Sequence, residues 1–588
     1  MKRNLILFAA PLALAGCTTP DRNEEILARP GTPLETGQAE PVEIGIIAIN
    51  DFHGALEPPR RTVEIPVPGG DPARIPSGGA AWLASAVEQA RAKYEYSLTV
   101  SAGDLTGASQ LASSLFLDEP TVGVMNRIGL DFNAVGNHEF DRGWRELVRL
   151  QEGGCEQYAL REPCAVEPDF TGAEFRYLAA NVIDEGGAPL FPASSLVHFG
   201  EGAKRMAIGL IGLTLKETPE IVTAQGVAGL SFTDEADAIN QAGHTLRRAG
   251  ADAVIVLIHQ GIYTAGEPDP NSCEEASGAL LPIIERLDAG VDVIVSGHTH
   301  WAYICEMPLG ESGQSVLLTS AGSYGTLLTD IRLTVDPATA SVTARHARNA
   351  PVQSLAYGSV ALSDAAPQFE PQPDIADYVG LYTAAAAEYG ERPAGRIAPY
   401  EEDPEELGRA PFGRLIADAQ LAATQGDGAE VAFMNPGGVR ATLIPAEDGT
   451  LTFGDLFQAQ PFGNTLVTMT LSGAEIMALL DSQFIREDGR AMVLFPSAGL
   501  AYDYDLARAE GSRVSNLLLD GEPLDPARDY RVTVNSFLAD GGDGFVLLRN
   551  GRERVDGMGD LDALEAWIDG EEMREVPMEP RARDVGQE

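Results

Sequence analysis

Short, unbroken apolar runs alternate along the chain with polar, glycine-bearing turns. Glu43-Ile44-Gly45-Ile46-Ile47-Ala48-Ile49 is such a run, and Ser97–Val100, Phe132–Val135, Ala253–Ile258 and Val291–Val295 repeat it. Continuous apolar stretches bounded by turn signals predict strands covered on both faces, not strands with one wet side. Ala80–Ala92 and Ala236–Arg248, lying between runs, read as helices. Strand, turn and helix in repetition predict an α/β layered fold whose chemistry sits at one edge of its sheets.

Each run ends in a chemically equipped turn. The turns are Asn50-Asp51-Phe52-His53-Gly54, Ser101-Ala102-Gly103-Asp104, Gly136-Asn137-His138-Glu139-Phe140-Asp141, His259-Gln260-Gly261 and Ser296-Gly297-His298-Thr299-His300. Asp51 and His53 stand two residues apart, so from an extended strand end both side chains point the same way, as two ligands on one ion must. Carboxylate, imidazole and amide oxygen without thiolate suit Zn, Mn, Fe or Mg. Asp51, His53, Asp104, Asn137, His259, His298 and His300 are more groups than one ion needs. Two divalent ions sharing a carboxylate, about 3.5–4 Å apart, are therefore expected. A hydroxide between such ions attacks phosphorus in line and needs no side-chain nucleophile; none is evident. His138 is a candidate proton donor or acceptor, with Asp141 to orient it. His198, His244 and His346 fall outside the turns and read as ordinary histidines.

At 588 residues the chain exceeds one core, and two large domains are expected. Its 44% hydrophobic and 22% charged residues describe a globular protein. The formal charge of −46, with lysine only at positions 2, 93, 204 and 216, repels nucleic-acid backbones and anionic membranes. A nucleic-acid polymer is thus not expected as a partner, and a small anionic substrate needs a local positive site, which metals supply. Met1-Lys2-Arg3 followed by the apolar stretch Leu5–Ala15 is too short to span a bilayer. It ends in Leu14-Ala15-Gly16-Cys17, which resembles the lipobox of bacterial lipoproteins, so Cys17 is expected to be lipidated. Thr18 after the cysteine, by the same resemblance, favours the outer membrane, facing the periplasm or cell surface, with the lipid as sole membrane contact. Cys155, Cys164, Cys273 and Cys305 suggest two disulfides in an exported chain, with three pairings open.

Asp-x-His, Gly-Asp, Gly-Asn-His-Glu, a single His and Gly-His-x-His, in that order, resemble the calcineurin-like metallophosphoesterases. Asn137-His138-Glu139-Phe140-Asp141 is closest to their 5′-nucleotidase branch. Four later segments resemble that branch's C-terminal domain: Phe412–Ala419, Phe433-Met434-Asn435-Pro436-Gly437-Gly438-Val439-Arg440, Gln460–Asn464 and Asn535–Phe545. The resemblance implies a four-layer β-sandwich flanked by helices, followed by a second α/β (α+β) domain that binds substrate. It assigns Asp51, His53, Asp104 and His300 to one ion and Asp104, Asn137, His259 and His298 to the other, with His138 and Asp141 as the catalytic dyad. Asn435, Gly438, Arg440, Phe462, Phe537 and Asp543 form the expected substrate set. The two phenylalanines would sandwich a base, Asp543 would take ribose hydroxyls, and Arg440 would fork a phosphate. Where relatives carry Arg seven and Glu four residues before the helix glycine, this chain has Glu406 and Arg409 before Gly413. Arg409 and Arg414 are left as that helix's candidate cations.

The expected organisation is a leader at 1–17, a tether at 18–41, the dimetal domain at 42–355, and a linker and connecting helix at 356–390. The nucleotide domain follows at 391–575 and a tail at 576–588. The connector Asp364–Tyr389 is expected to act as the hinge of domain closure. The whole reads as a monomeric, exported dimetal nucleotide phosphohydrolase. Alternatives are a 2′,3′-cyclic-nucleotide phosphodiesterase/3′-nucleotidase, a UDP-sugar hydrolase, a thiosulfohydrolase, or a surface lipoprotein without catalysis.

Overall fold

The computed structural model describes residues 40–159, 161–265, 269–288, 290–310, 312–358, 360–400, 409–484, 491–569 and 573–586. Cys17, the leader and Glu406 lie outside the described residues.

In the first domain, one sheet begins with β1 (Val42–Ile49), β2 (Tyr96–Ser101), β3 (Phe132–Ala134) and β4 (Arg176–Leu178). A second sheet takes β5 (Ser194–Phe199), β6 (Met206–Thr214), β7 (Ala253–His259), β8 (Val293–Ser296), β9 (Ala302–Leu309) and β10 (Gln314–Ala321). The chain then returns to the first with β11 (Leu327–Asp336) and β12 (Ser341–Pro351). The strand orders are β12-β11-β1-β2-β3-β4 and β9-β10-β8-β7-β6-β5. Strands β1 to β4 run parallel, as do β6, β7, β8 and β10.

The unbroken apolar runs arise because each strand serves two cores. Ile44, Ile46 and Ala48 of β1 meet Ile255, Leu257, Val293 and Val295 between the sheets. Ile47 and Ile49 face outward into a core shared with helices α1 (Ala80–Arg91) and α2 (Glu119–Ile128). Strand β7 divides in the same way, with Val254, Val256 and Ile258 packed toward α3 (Glu235–Arg248). Helix, sheet, sheet and helix are the expected four layers. Each fully buried Ile, Leu or Val contributes about 1.5–3 kcal/mol, so a polar residue in these runs would be costly on either face.

Register then positions the chemistry. Ile49 pairs with Ser101 and Ile258 with Ser296, so the turns after β1 and β2 leave the first sheet together and those after β7 and β8 leave the second together. Parallel strands place all these turns at the carboxyl edge, where α/β folds build their sites.

Helix α4 (Pro373–Gly390) lies within the expected connector. Ile375, Tyr378, Val379, Tyr382 and Ala386 are buried in the outer core of the first domain, and the Tyr378 and Tyr382 hydroxyls donate to Glu167 at 2.6 and 2.8 Å. Phe457 of the second domain is buried in the same core and Phe453 packs against it, so the connecting helix touches both domains.

The second domain is built on a five-stranded sheet in the order β15-β13-β16-β14-β17. Its strands are β13 (Val431–Met434), β14 (Thr465–Ser472), β15 (Phe495–Pro496), β16 (Asp529–Asn535) and β17 (Arg552–Gly559). Helix α5 (Ala410–Thr424) packs on it through Phe412, Leu415 and Ile416. The cysteines pair as Cys155–Cys164 and Cys273–Cys305, one of the three arrangements left open above. Among the described residues no helix is long and apolar enough to cross a membrane.

Candidate metal centre and interdomain cleft

The turn residues converge in space. Asp51, His53 and His300 form one group of potential ligands and Asp51, Asp104 and His259 another, with the ligand atoms of each group lying within 4.8 Å of one another. His300 Nε2 is 3.3 Å from Asp51 Oδ1, and His259 Nε2 is 2.9 Å from Asp104 Oδ2. Asp104 Oδ2 also lies 3.8 Å from His53 Nε2, so both carboxylates face both groups. Asn137 Oδ1 meets His298 Nδ1 at 3.1 Å, and the His298 backbone N–H donates to Asp51. All seven residues assigned to metal are therefore in one cluster.

The backbone is bent to achieve this. Asp51, His53, Asp104, His298 and His300 have φ of 49, 48, 51, 69 and 60°, in the left-handed region that costs a non-glycine residue about 1–3 kcal/mol. Hydrogen bonds between the turns hold them there: Asp51 N to Gly103 O at 3.0 Å and His53 N to Asp104 O at 2.9 Å. Gly136 is required by close approach, since a Cβ there would strike the Asp104 carboxylate.

These residues fit divalent ions. The Nδ1 of His53 faces Gly107 O at 2.9 Å and that of His259 faces Ala102 O at 2.8 Å, which fixes the tautomers and turns each Nε2 lone pair inward. His259 Nε2 is buried without a hydrogen-bond partner, and the donors are the hard oxygens and imidazoles expected for Zn, Mn, Fe or Mg. Electrostatics agree. Burial disfavours charge on His259, yet Asp104 and Asp51 outweigh it and push the imidazole up to about 10. Burial, then the His259 charge, brings His298 down to about 4. Burial also holds His53 and His300 well below the usual range. The two carboxylates thus favour positive charge at His259, the place where a metal would bring its own.

Glu139 is a residue whose role the sequence did not disclose. Buried, it accepts backbone N–H bonds from Gly136 (2.7 Å), Asp104 (2.9 Å) and Leu105 (2.8 Å), tying the turns after β2 and β3 together. Glutamine in its place would set an NH2 group against one of these donors. Glu139→Gln is therefore expected to weaken metal retention about 10- to 100-fold, the usual effect of removing a group that orients ligands. A chelator-competition titration reads this directly.

His138 stands beside the cluster, its ring 5.2 Å from that of His53, and its Nδ1 bonds Asp141 Oδ2 at 2.9 Å. Burial pulls its pKa down, but Asp141 and Asp104 overcome this and leave it above the ordinary value.

The second domain closes over this centre. Phe462 stacks on His138 (5.6 Å, 21°), and the Arg440 guanidinium lies 5.8 Å from the Phe462 ring. Arg440 Nη2 reaches 3.4 Å from His53 Nε2, while its Nε is buried without a hydrogen-bond partner. Asn435 donates to Asp543 at 2.7 Å, and Gly438 leaves room for the Asn435 side chain. Phe537 packs against the second domain's own core and lines a small interdomain cavity with Thr223. In this conformation the two phenylalanines thus make separate contacts.

Two further residues had no sequence signal. Arg61, from the hairpin Arg61–Ile65/Ala73–Ser77, lies 4.2 Å over the Tyr324 ring and donates to Arg440 O at 3.2 Å. Burial opposes ionisation of Tyr324, yet Arg440, Arg61 and Arg409 outweigh it and bring the phenol down to about 8. Burial, followed by the Arg61 and Arg440 charges, lowers Arg409 to about 10. Arg61, Arg409 and Arg440 thus surround one place with positive charge in an otherwise acidic protein. Arg414 does not join them. It is committed to the C-terminal segment, donating to Pro577 O at 2.8 Å and Met578 O at 2.9 Å.

Fold and site together define a metallophosphoesterase centre faced by a second, substrate-side domain. Residues 44–302 match the calcineurin-like phosphoesterase family and residues 390–549 the 5′-nucleotidase C-terminal domain. A probable 5′-nucleotidase of Treponema pallidum is 27% identical over 616 residues, covering 91% of this chain and 90% of that protein. The endonuclease YhcR of Bacillus subtilis is 30% identical over 509 residues, 86% of this chain, although the chain spans only 38% of that relative. The solved 5′-nucleotidase precursor of Thermus thermophilus superposes with a TM-score of 0.72 at 26% identity, covering 93% of this chain and 100% of that one. The chain belongs to the 5′-nucleotidase family of calcineurin-like, metal-dependent phosphoester hydrolases.

Proposed function

We propose that the protein hydrolyses phosphate esters of nucleotides, with 5′-nucleotides as the preferred class. The carrying observation is the approach of Arg440 to His53 with Phe462 stacked on His138, which puts substrate-side and hydrolytic groups in one cleft. Asp51, His53, Asp104, Asn137, His259, His298 and His300 would hold two divalent ions, whose Lewis acidity offsets charge on the phosphoryl group and ionises water. The chain's own groups do the rest. Arg440 and Arg409 bind phosphate oxygens, and His138, held by Asp141, delivers a proton to the departing ester oxygen. Phe462 and Phe537 cover the base, and Asp543 accepts from the ribose.

At about 1–3 kcal/mol per base–aromatic contact, a Phe462→Ala, Phe537→Ala variant should raise KM for AMP at least about tenfold with bound metal unchanged. Unaltered kinetics would favour the thiosulfohydrolase alternative, because a sulfate group needs no aromatic cover. The class itself is tested by phosphate release from AMP, ATP, UDP-glucose, 2′,3′-cyclic AMP and bis(p-nitrophenyl) phosphate. Turnover confined to the diesters would move the protein to the cyclic phosphodiesterases. Silence across the panel with metals bound would refute the nucleotide reading and leave a different substrate or the surface lipoprotein without catalysis. We also propose that it acts outside the cytoplasm, anchored through a lipid on Cys17, a reading that rests on the leader sequence and is consistent with two disulfides.

A further inference from the structure

A largely buried ion pair lies beside both the metal cluster and the dyad and belongs to neither. Asp118 is fully buried, and Arg142, the residue after Asp141, bonds it through Nη1. The Asp118 carboxylate also accepts from Ser113 Oγ at 2.6 Å and from the Gly107 backbone N–H at 3.3 Å. Arg142 uses its other terminal nitrogen on Ser114, donating to Oγ at 2.8 Å. Burial raises the Asp118 carboxyl, but the Arg142 charge outweighs it and leaves the group below its ordinary value.

The pair is costly to form. Leu117 and Asp118 have φ of 55 and 62°, in the left-handed region. Apolar residues of the same volume commonly match a buried ion pair in stability, so its use lies in what it holds. What it holds is Gly107. The Gly107 carbonyl faces His53 Nδ1 at 2.9 Å and fixes the tautomer of a residue in the metal cluster. Gly107 also lies against the dyad, since a Cβ there would strike the His138 carbonyl and the Asp141 carboxylate. The start of α2 is a firm base for these contacts. Glu119, next to Asp118, pairs with Arg149 at 2.8 Å and accepts the Cys164 N–H at 2.9 Å, beside the Cys155–Cys164 disulfide.

We propose that Asp118 and Arg142 are positioning residues that hold the dyad and the metal cluster in fixed relation to each other. Gly107 carries the restraint from Asp118 to His53. The peptide link between Asp141 and Arg142 carries it to His138. The part of the proposal that concerns His138 rests on the nucleotide-hydrolase reading above, and the part that concerns His53 does not.

The test uses the metal-loaded full chain. Arg142→Gln is expected to lower kcat on AMP about tenfold, with KM changed by less than about twofold, and Arg142→Lys to restore most of the loss. Because Arg142 acts through His138, Arg142→Gln should add nothing in a His138→Ala background. An unchanged kcat, or a loss that multiplies that of His138→Ala, overturns the inference. A second arm needs no turnover. Asp118→Asn is expected to weaken metal retention in a chelator-competition titration about tenfold, because Gly107 loses its charged acceptor and His53 its fixed tautomer. Should that variant fail to fold, Ser113→Ala removes one hydrogen bond from the same carboxylate and should weaken retention about twofold. Retention equal to the wild type in the folded variant overturns the inference. Failure of the wild type on AMP instead removes the nucleotide-hydrolase reading, and metal retention still decides the role of Asp118.

Discussion

Asp104→Asn is expected to leave a folded protein that no longer turns over substrate. Asparagine keeps the Oδ1 that accepts the His138 backbone N–H at 2.9 Å, so the turn survives. What is lost is the negative charge at Oδ2, which faces His259 at 2.9 Å and His53 at 3.8 Å. An amide there offers both ions a weaker ligand, and the Asp51 carboxylate alone must neutralise them. The loss should exceed the about 10²–10⁴-fold typical of removing one proton-transfer group, because the ions themselves are released. Thermal unfolding with and without added metal separates this from misfolding. The wild type gains about 2.7 kcal/mol of stability at a metal concentration of 100 Kd; the variant should keep its metal-free melting point and gain much less. A variant that retains both ions and full activity would show that Asp104 is no ligand.

His138→Ala should produce the second-largest effect, a fall in kcat of about 10²–10⁴-fold on AMP with metal content unchanged. The mechanism makes a sharper demand. The ribose 5′-oxygen is a poor leaving group and needs a proton, whereas p-nitrophenolate departs without one. The variant should therefore lose much less activity on p-nitrophenyl phosphate than on AMP. Equal losses on both would mean that His138 acts on the phosphoryl group and not on the leaving oxygen. Because Phe462 stacks on His138, the Phe462 variant should be assayed beside it, so that loss of the ring contact is not mistaken for loss of the proton donor.

The candidate metal cluster was legible because each of its residues lies in a glycine-bearing turn at the end of an apolar run, and buried parallel strands leave those turns nowhere to go but one edge. Other parts of the site were hidden for physical reasons. Glu139 works by accepting backbone N–H groups, a role with no side-chain spacing to betray it. Arg61 and Tyr324 reach the cleft from a hairpin and a turn far apart in the chain, and only the packing of the second domain gives them Arg440 as a neighbour. Arg414 shows the converse: its place at the start of α5 suits a substrate contact, but the C-terminal segment crosses that position and takes its donors. The connector's helix was legible, but the burial of Tyr378 and Tyr382 depends on Glu167, which no local pattern links to it. Phe462 was legible as a loop aromatic, whereas Phe537, also expected in a loop, lies in the short helix Ser536–Ala539; the seat of Phe462 on His138 belongs to the relative position of the two domains.

The most direct test of the central claim is phosphate release from AMP as divalent ion is returned stepwise to chelated protein, with bound metal counted in the same samples. The account predicts negligible release from the metal-free chain and a rate that rises with occupancy to its maximum at two ions per chain. Full turnover without metal, or no phosphate released with two ions bound, would contradict it.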